Sequence, residues 1–181
     1  MERLYNNLTE LISQNLNTPE TKSAKKLIEE LHEIKKRRFF TKEEFYKIAM
    51  WKSPRPKKLY LKNSEEEIEN ISKKVLSSNS LDEKINLLTS LKGVSIAVAS
   101  AILTIIEPKN YGIIDIRVWQ LLHLYTEVKT NPAGQGFKLD DYKNYLIILK
   151  DYSKKFQINV RDIERILFFQ HRKIQEGNLY K

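Results

Sequence analysis

Residues 91–122 read LKGVSIAVASAILTIIEPKNYGIIDIRVWQLL. Leu91 is still in register with the helix signal before it and Ile96 already belongs to the next, so the two helices meet in a very short bend. Gly93 suits that bend because it adopts backbone angles that a side chain would block. The following helix, IAVASAILTII, is apolar on nearly every side, which marks it as central. Its small residues Ala97, Ala99, Ser100 and Ala101 permit close approach of neighbouring helices. After Glu107 and Pro108 the chain turns, Gly112 opens the next segment, and a helix begins at or near Asp115. That aspartate stands among isoleucines, where an unpaired carboxylate costs free energy unless it is hydrogen-bonded or does chemistry.

Outward from this stretch, helix signals recur and strand signals are scarce. Residues 1–14 put Leu4, Leu8, Leu11 and Ile12 on one helical face. Thr18 before Pro19 has the form of an N-cap, opening a helix over about 19–37 with Leu27, Ile28, Leu31 and Ile34 as its stripe. Thr41 with Glu44, Ser64 with Glu67 and Ser80 with Glu83 are capping-box patterns. The first opens a helix over about 42–52, which must stop at KSPRPKK, and a basic loop over 53–62 follows. Two further helices are predicted over about 139–156 and 159–176, the last closed by Gly177. The fold class is therefore all-α, with roughly nine helices joined by short loops.

Composition narrows the function classes. The 181 residues suffice for one well-buried unit or two small lobes sharing a core. No apolar run reaches the length of a membrane span, and the N-terminus lacks the pattern of a signal peptide, so a protein with no membrane partner in an intracellular setting is expected. Without cysteine there are no disulfides, thiolate metal sites or thiol nucleophiles, and the three histidines lack ligand spacing, so no side-chain metal site is expected. A net charge of +9 favours a polyanionic partner, nucleic acid foremost.

The bend has its own chemistry. Amides after Gly93, around Val94 and Ser95, sit at the start of a helix where unsatisfied N–H groups attract an anion, and Lys92 adds positive charge; a DNA phosphate would suit the place. In SPRPKKLY, Arg55, Lys57 and Lys58 lie beside Trp51 and Tyr60, which suits a phosphate-tracking, base-stacking surface or, equally, a solvated proline-stiffened linker. Trp119, one turn past Asp115, packs between helices or else lines a base pocket together with Trp51. Arg161, Arg165, His171, Arg172 and Lys173 either meet DNA or form an exposed face around an apolar stripe. Asp115 itself also has a plain interpretation as a helix N-cap.

LKGVSIAVASAIL followed after a short gap by GIIDIRVWQLL resembles the helix-hairpin-helix (HhH-GPD) DNA glycosylase superfamily, with DIRVW similar to its 8-oxoguanine DNA glycosylase branch. The likeness covers about residues 85–125. It implies a two-lobed helical bundle over 1–181 with a hairpin motif at 81–106 and a cleft between lobes 20–125 and 1–19 plus 126–181. It also implies a role for Asp115 as the carboxylate that stabilises the cation developing on deoxyribose while a damaged base is excised from double-stranded DNA. A monomer without cofactor, or with a monovalent cation on the hairpin backbone, is the corresponding expectation. The family's Schiff-base lysine position is Ala97 here, so water is the nucleophile unless a lysine enters from another helix, with Lys47, Lys57 and Lys58 as the conceivable donors. The alternative is a non-catalytic DNA-binding adaptor built on the same hairpin.

Overall fold

In the computed structural model, which describes residues 2–177 and 179, the chain is all-helical, and no strand occurs among the described residues. Among the described residues nine helices have six residues or more: α1 (Leu8–Ser13), α2 (Lys22–Glu30), α4 (Lys42–Lys52), α6 (Glu65–Ser77), α7 (Leu81–Thr89), α8 (Ile96–Ile106), α9 (Ile116–Leu124), α10 (Leu139–Phe156) and α11 (Val160–Ile174). Two single turns, α3 (Ile34–Arg37) and α5 (Lys57–Tyr60), complete the order. Among the described residues no helix is long and apolar enough to cross a membrane.

Helix α8 is the axis of the packing, as its apolar surface requires. Every residue from Val98 to Ile106 is buried. Helix α4 lies along it, α7 precedes it through the Gly93 bend, and α2 and α10 touch its other sides. Helix α9 packs chiefly on α11, which in turn rests on α10 and α1. Residues 116–124 thus pack chiefly against the C-terminal helix α11. One continuous apolar core runs through both sets of helices.

Local capping follows side-chain chemistry closely. Complete boxes form at Thr41–Glu44 and Ser64–Glu67. Ser80 caps α7, but the Glu83 carboxylate accepts from the Ser78 hydroxyl instead of closing the box. Helix α1 starts only at Leu8, capped by Asn7, and Leu4 is exposed rather than on the buried face. The cap of α2 is Thr21, not Thr18, and the predicted helix over 19–37 breaks at Leu31–Glu33 into α2 and α3. Helix α11 ends at Ile174 with Gln175 as its cap, short of Gly177.

The bend between α7 and α8 is held from outside itself. Gly93 has φ +86°, and a Cβ there would lie 2.9 Å from Leu59 Cβ and 3.0 Å from Tyr60 Cδ1. The segment expected as loop 53–62 thus contains a helical turn seated against the bend, with Tyr60 fully buried and its hydroxyl donating to Ser53 O. Asn63, 1% exposed, clasps the bend: its Oδ1 accepts from Lys92 N at 2.7 Å and its Nδ2 donates to Lys92 O at 3.1 Å. Asn63→Ala should strip both partners from the Lys92 backbone and lower unfolding free energy by about 1–3 kcal/mol. Urea unfolding with an unchanged m-value would measure it.

Candidate active site at the Lys52–Asp115 pair

Asp115 is placed by the extended segment that precedes it. Ser100 Oγ on α8 accepts from Ile114 N at 3.1 Å. The Tyr145 hydroxyl donates to Ile113 O at 2.7 Å and that of Tyr142 to Gly112 O at 3.3 Å. Burial pushes both phenols far above their usual range, so they remain neutral donors. Gly112 serves close approach here, since a Cβ would lie 2.6 Å from Leu149 Cδ1. Backbone groups 112–114 are thereby fixed in the core, and Asp115 emerges as the N-cap of α9.

Its side chain does more than cap. Asp115 Oδ1 accepts from Arg117 N at 3.0 Å, and Oδ2 accepts from Lys52 Nζ at 2.7 Å. Lys52 is the last residue of α4, and the two side chains are only 14% and 16% exposed. Burial pushes the Asp115 carboxyl up, but the Lys52 ammonium and the Arg117 amide outweigh it, leaving the pKa below its ordinary value of 3.8. The carboxylate is charged at neutral pH.

Two cavities open on either side of this pair and share it. One, of about 340 Å³, is walled by Trp51, Arg117, Phe168 and Phe169 with Thr21 and Ser23 at its edge. The other, of about 350 Å³, is bounded by the start of α8 at Ser95–Val98, by Gly134–Phe137 and by Arg55. Ala97 faces this second space with a methyl group, while Lys52 reaches it from α4.

The structure sorts the sequence candidates. Asp115, Ser95, Arg55 and Trp51 line one cavity or the other. Val94 is buried and its amide donates to Leu91 O, while the Lys92 amide donates to Asn63. The anion-attracting end of the bend is therefore the first turn of α8, where the amides of Ile96 and Ala97 lack intrahelical acceptors. The carbonyls of Leu91 and Lys92 already accept from Val94 N and Asn63 Nδ2, so a backbone-bound cation would share acceptors that the protein uses itself. Among the described residues no group of three or more His, Asp and Glu side chains could hold a metal ion.

Other candidates lie elsewhere. Trp119 is fully buried, donates from Nε1 to Asn131 O at 2.9 Å and packs edge-on against Phe137. It is a strut under the 130–137 connection and lines neither of the two cavities beside Asp115. Lys57 and Lys58 are exposed on α5 and line neither cavity, and Lys47 pairs with Glu43 on the surface of α4. Arg161 is no part of an exposed basic face: it grips Glu20 through two nitrogens at 2.8 and 3.0 Å and also pairs with buried Glu164. Arg165 donates to Thr18 O and pairs with Asp162. Burial and the Arg117 charge lower the pKa of buried His171 to about 4, so it is neutral at pH 7.

Lys52 is the residue that sequence reasoning missed. It stands at a helix end, a common place for a lysine, and nothing in WKSPR separates it from its neighbours. Only the packing of α4 on α8 carries it to a partner 63 positions away.

No family model, curated protein or solved structure matches this chain.

Because the folded Asp115 pKa lies below the unfolded value, its contribution to stability is present above pH 4 or so and fades as pH falls through the folded pKa. Asp115→Asn keeps a good N-cap and removes that titration. Urea unfolding between pH 5 and 2.5 should therefore show a shallower loss of stability for the variant than for the wild type.

Proposed function

We propose that this protein is a DNA base-excision glycosylase that breaks the N-glycosidic bond of a damaged base. The observation that carries the proposal is the half-desolvated Lys52–Asp115 pair at the junction of two cavities, one aromatic and one bordered by a helix N-terminus. A flipped nucleotide needs three receptors in that order: a base pocket, a charged group at the sugar and an anion site for the phosphate. Trp51 and Phe168 supply stacking walls, Asp115 faces the sugar, and the first turn of α8 takes the phosphate. The +9 net charge supports a duplex partner, and the likeness of residues 85–125 to the HhH-GPD enzymes, with oxidised guanine as the expected lesion, agrees with this arrangement.

Asp115 stabilises positive charge on the deoxyribose as the bond to the base breaks, an effect strengthened where water is excluded. Lys52 changes the chemistry available. While its ammonium sits 2.7 Å from the carboxylate, the pair is neutral as a whole and exerts a weak field on the sugar. If the ammonium gives one proton to the departing base nitrogen, the carboxylate is freed and Nζ becomes nucleophilic. Nζ then bonds to C1′ as the C1′–base bond breaks, and a proton moved from Nζ to the ring oxygen opens the sugar to an imine. In this proposal Lys52 supplies from α4 the amine that Ala97 cannot.

Incubation with duplexes bearing single lesions, with and without borohydride, tests both parts. Wild type should yield abasic product on at least one lesion and a borohydride-trapped adduct that Lys52→Gln does not form. Asp115→Asn should lower single-turnover excision by about 100-fold or more while retaining salt-dependent duplex binding. Undiminished turnover by Asp115→Asn would remove the catalytic assignment. Duplex binding without product on any lesion would identify a DNA-binding adaptor instead.

A further inference from the structure

The aromatic cavity has an uneven complement of polar groups. Lys52, Arg117, Arg161 and Arg165 border it against two carboxylates, Asp115 and Glu164. Those carboxylates are taken: Asp115 by Lys52 and the Arg117 amide, Glu164 by Arg161. Arg161 and Arg165 are both paired with Glu20. Arg117 is different. Its guanidinium lies over the Phe168 ring, 5.4 Å from the centroid, and its Nε is shielded from solvent without a hydrogen-bond partner.

The Arg117 side chain lines the cavity, and a ligand carbonyl there would gain a charge-assisted hydrogen bond from its guanidinium. The remaining polar edge consists of the Thr21 and Ser23 hydroxyls, which hydrogen-bond to each other at 3.4 Å and whose oxygens also accept from Ala24 N and Trp51 Nε1, so one of the two protons is left to donate. The cavity thus offers donors, stacking faces and, in Arg117, a cation outside the ion pairs that hold Lys52, Arg161 and Arg165, while each carboxylate already has a cationic partner.

On the glycosylase reading above, we propose that Arg117 is a specificity-determining residue. It selects bases that present carbonyl acceptors, the products of oxidation or deamination. The same positive charge excludes N-alkylated purines that carry a formal positive charge, such as 7-methylguanine in DNA. Like charges in a partly desolvated cavity repel strongly, whereas a carbonyl on the forked guanidinium gains a charge-assisted hydrogen bond. Selection therefore operates through the edge of the base, while Trp51 and Phe168 accept any flat ring.

Single-turnover excision is measured on two sets of duplexes of the same sequence, one carrying uracil, hypoxanthine or 8-oxoguanine and the other 7-methylguanine or 3-methyladenine. Wild type should act on at least one of the first set about 100-fold faster than on either alkylated base. Arg117→Met should lose about tenfold or more of that rate, and Arg117→Lys, which keeps the charge without the fork, should still exclude the alkylated bases. A thermal melt of each variant checks that it is folded, and the Lys variant preserves the test if the Met variant is not. Efficient release of alkylated bases, or equal rates for wild type and both folded variants, overturns the role of Arg117 and leaves the glycosylase reading standing. Absence of product from every duplex overturns both.

Discussion

A lysine at the end of one helix and an aspartate at the start of another, 63 positions apart, meet at 2.7 Å in a place that water barely reaches. Withdrawing two charges from water is expensive, and such pairs often contribute little net stability. The geometry that brings them together must therefore be held by other forces. Ser100, Tyr142 and Tyr145 fix the backbone leading to Asp115, and the packing of α4 on the wholly buried α8 fixes the end of α4 that carries Lys52. The core positions the pair; the pair does not organise the core.

That dependence explains the asymmetry around the site. On one side, the first turn of α8 and the 134–137 connection leave backbone N–H groups and small side chains. On the other, α9 and α11 bring aromatic rings and guanidinium groups. Two of the latter are committed to structure: Arg161 and Arg165 fasten the N-terminal segment through Glu20 and Thr18, so these two arginines bind the chain to itself. Arg117, on α9, carries no such duty.

Much of the local architecture was legible. Thr41 with Glu44 and Ser64 with Glu67 cap helices because a hydroxyl and a carboxylate three positions later can satisfy each other's backbone amides without help from elsewhere. The centrality of IAVASAILTII followed from its having no polar face to turn outward. Errors arose where two local solutions were nearly equal. Thr18 and Thr21 are both good caps; Thr21 caps α2, while the Thr18 carbonyl accepts from Arg165. Glu83 could have closed a box and instead took the Ser78 hydroxyl.

What the sequence alone determined was the all-helical class, the tight bend at Gly93 and the start of a helix at Asp115, because these depend on backbone angles and on neighbours within a few residues. What only the tertiary structure decided was the company Asp115 keeps. Whether that carboxylate is a bare cap, a surface charge or half of a desolvated pair is set by which distant side chain arrives beside it. Lys52 arrives because α4 packs along α8, and Trp119 lies buried with its N–H shared between the Thr130 and Asn131 carbonyls. Electrostatic partners act through space, and a linear sequence does not record distances through space.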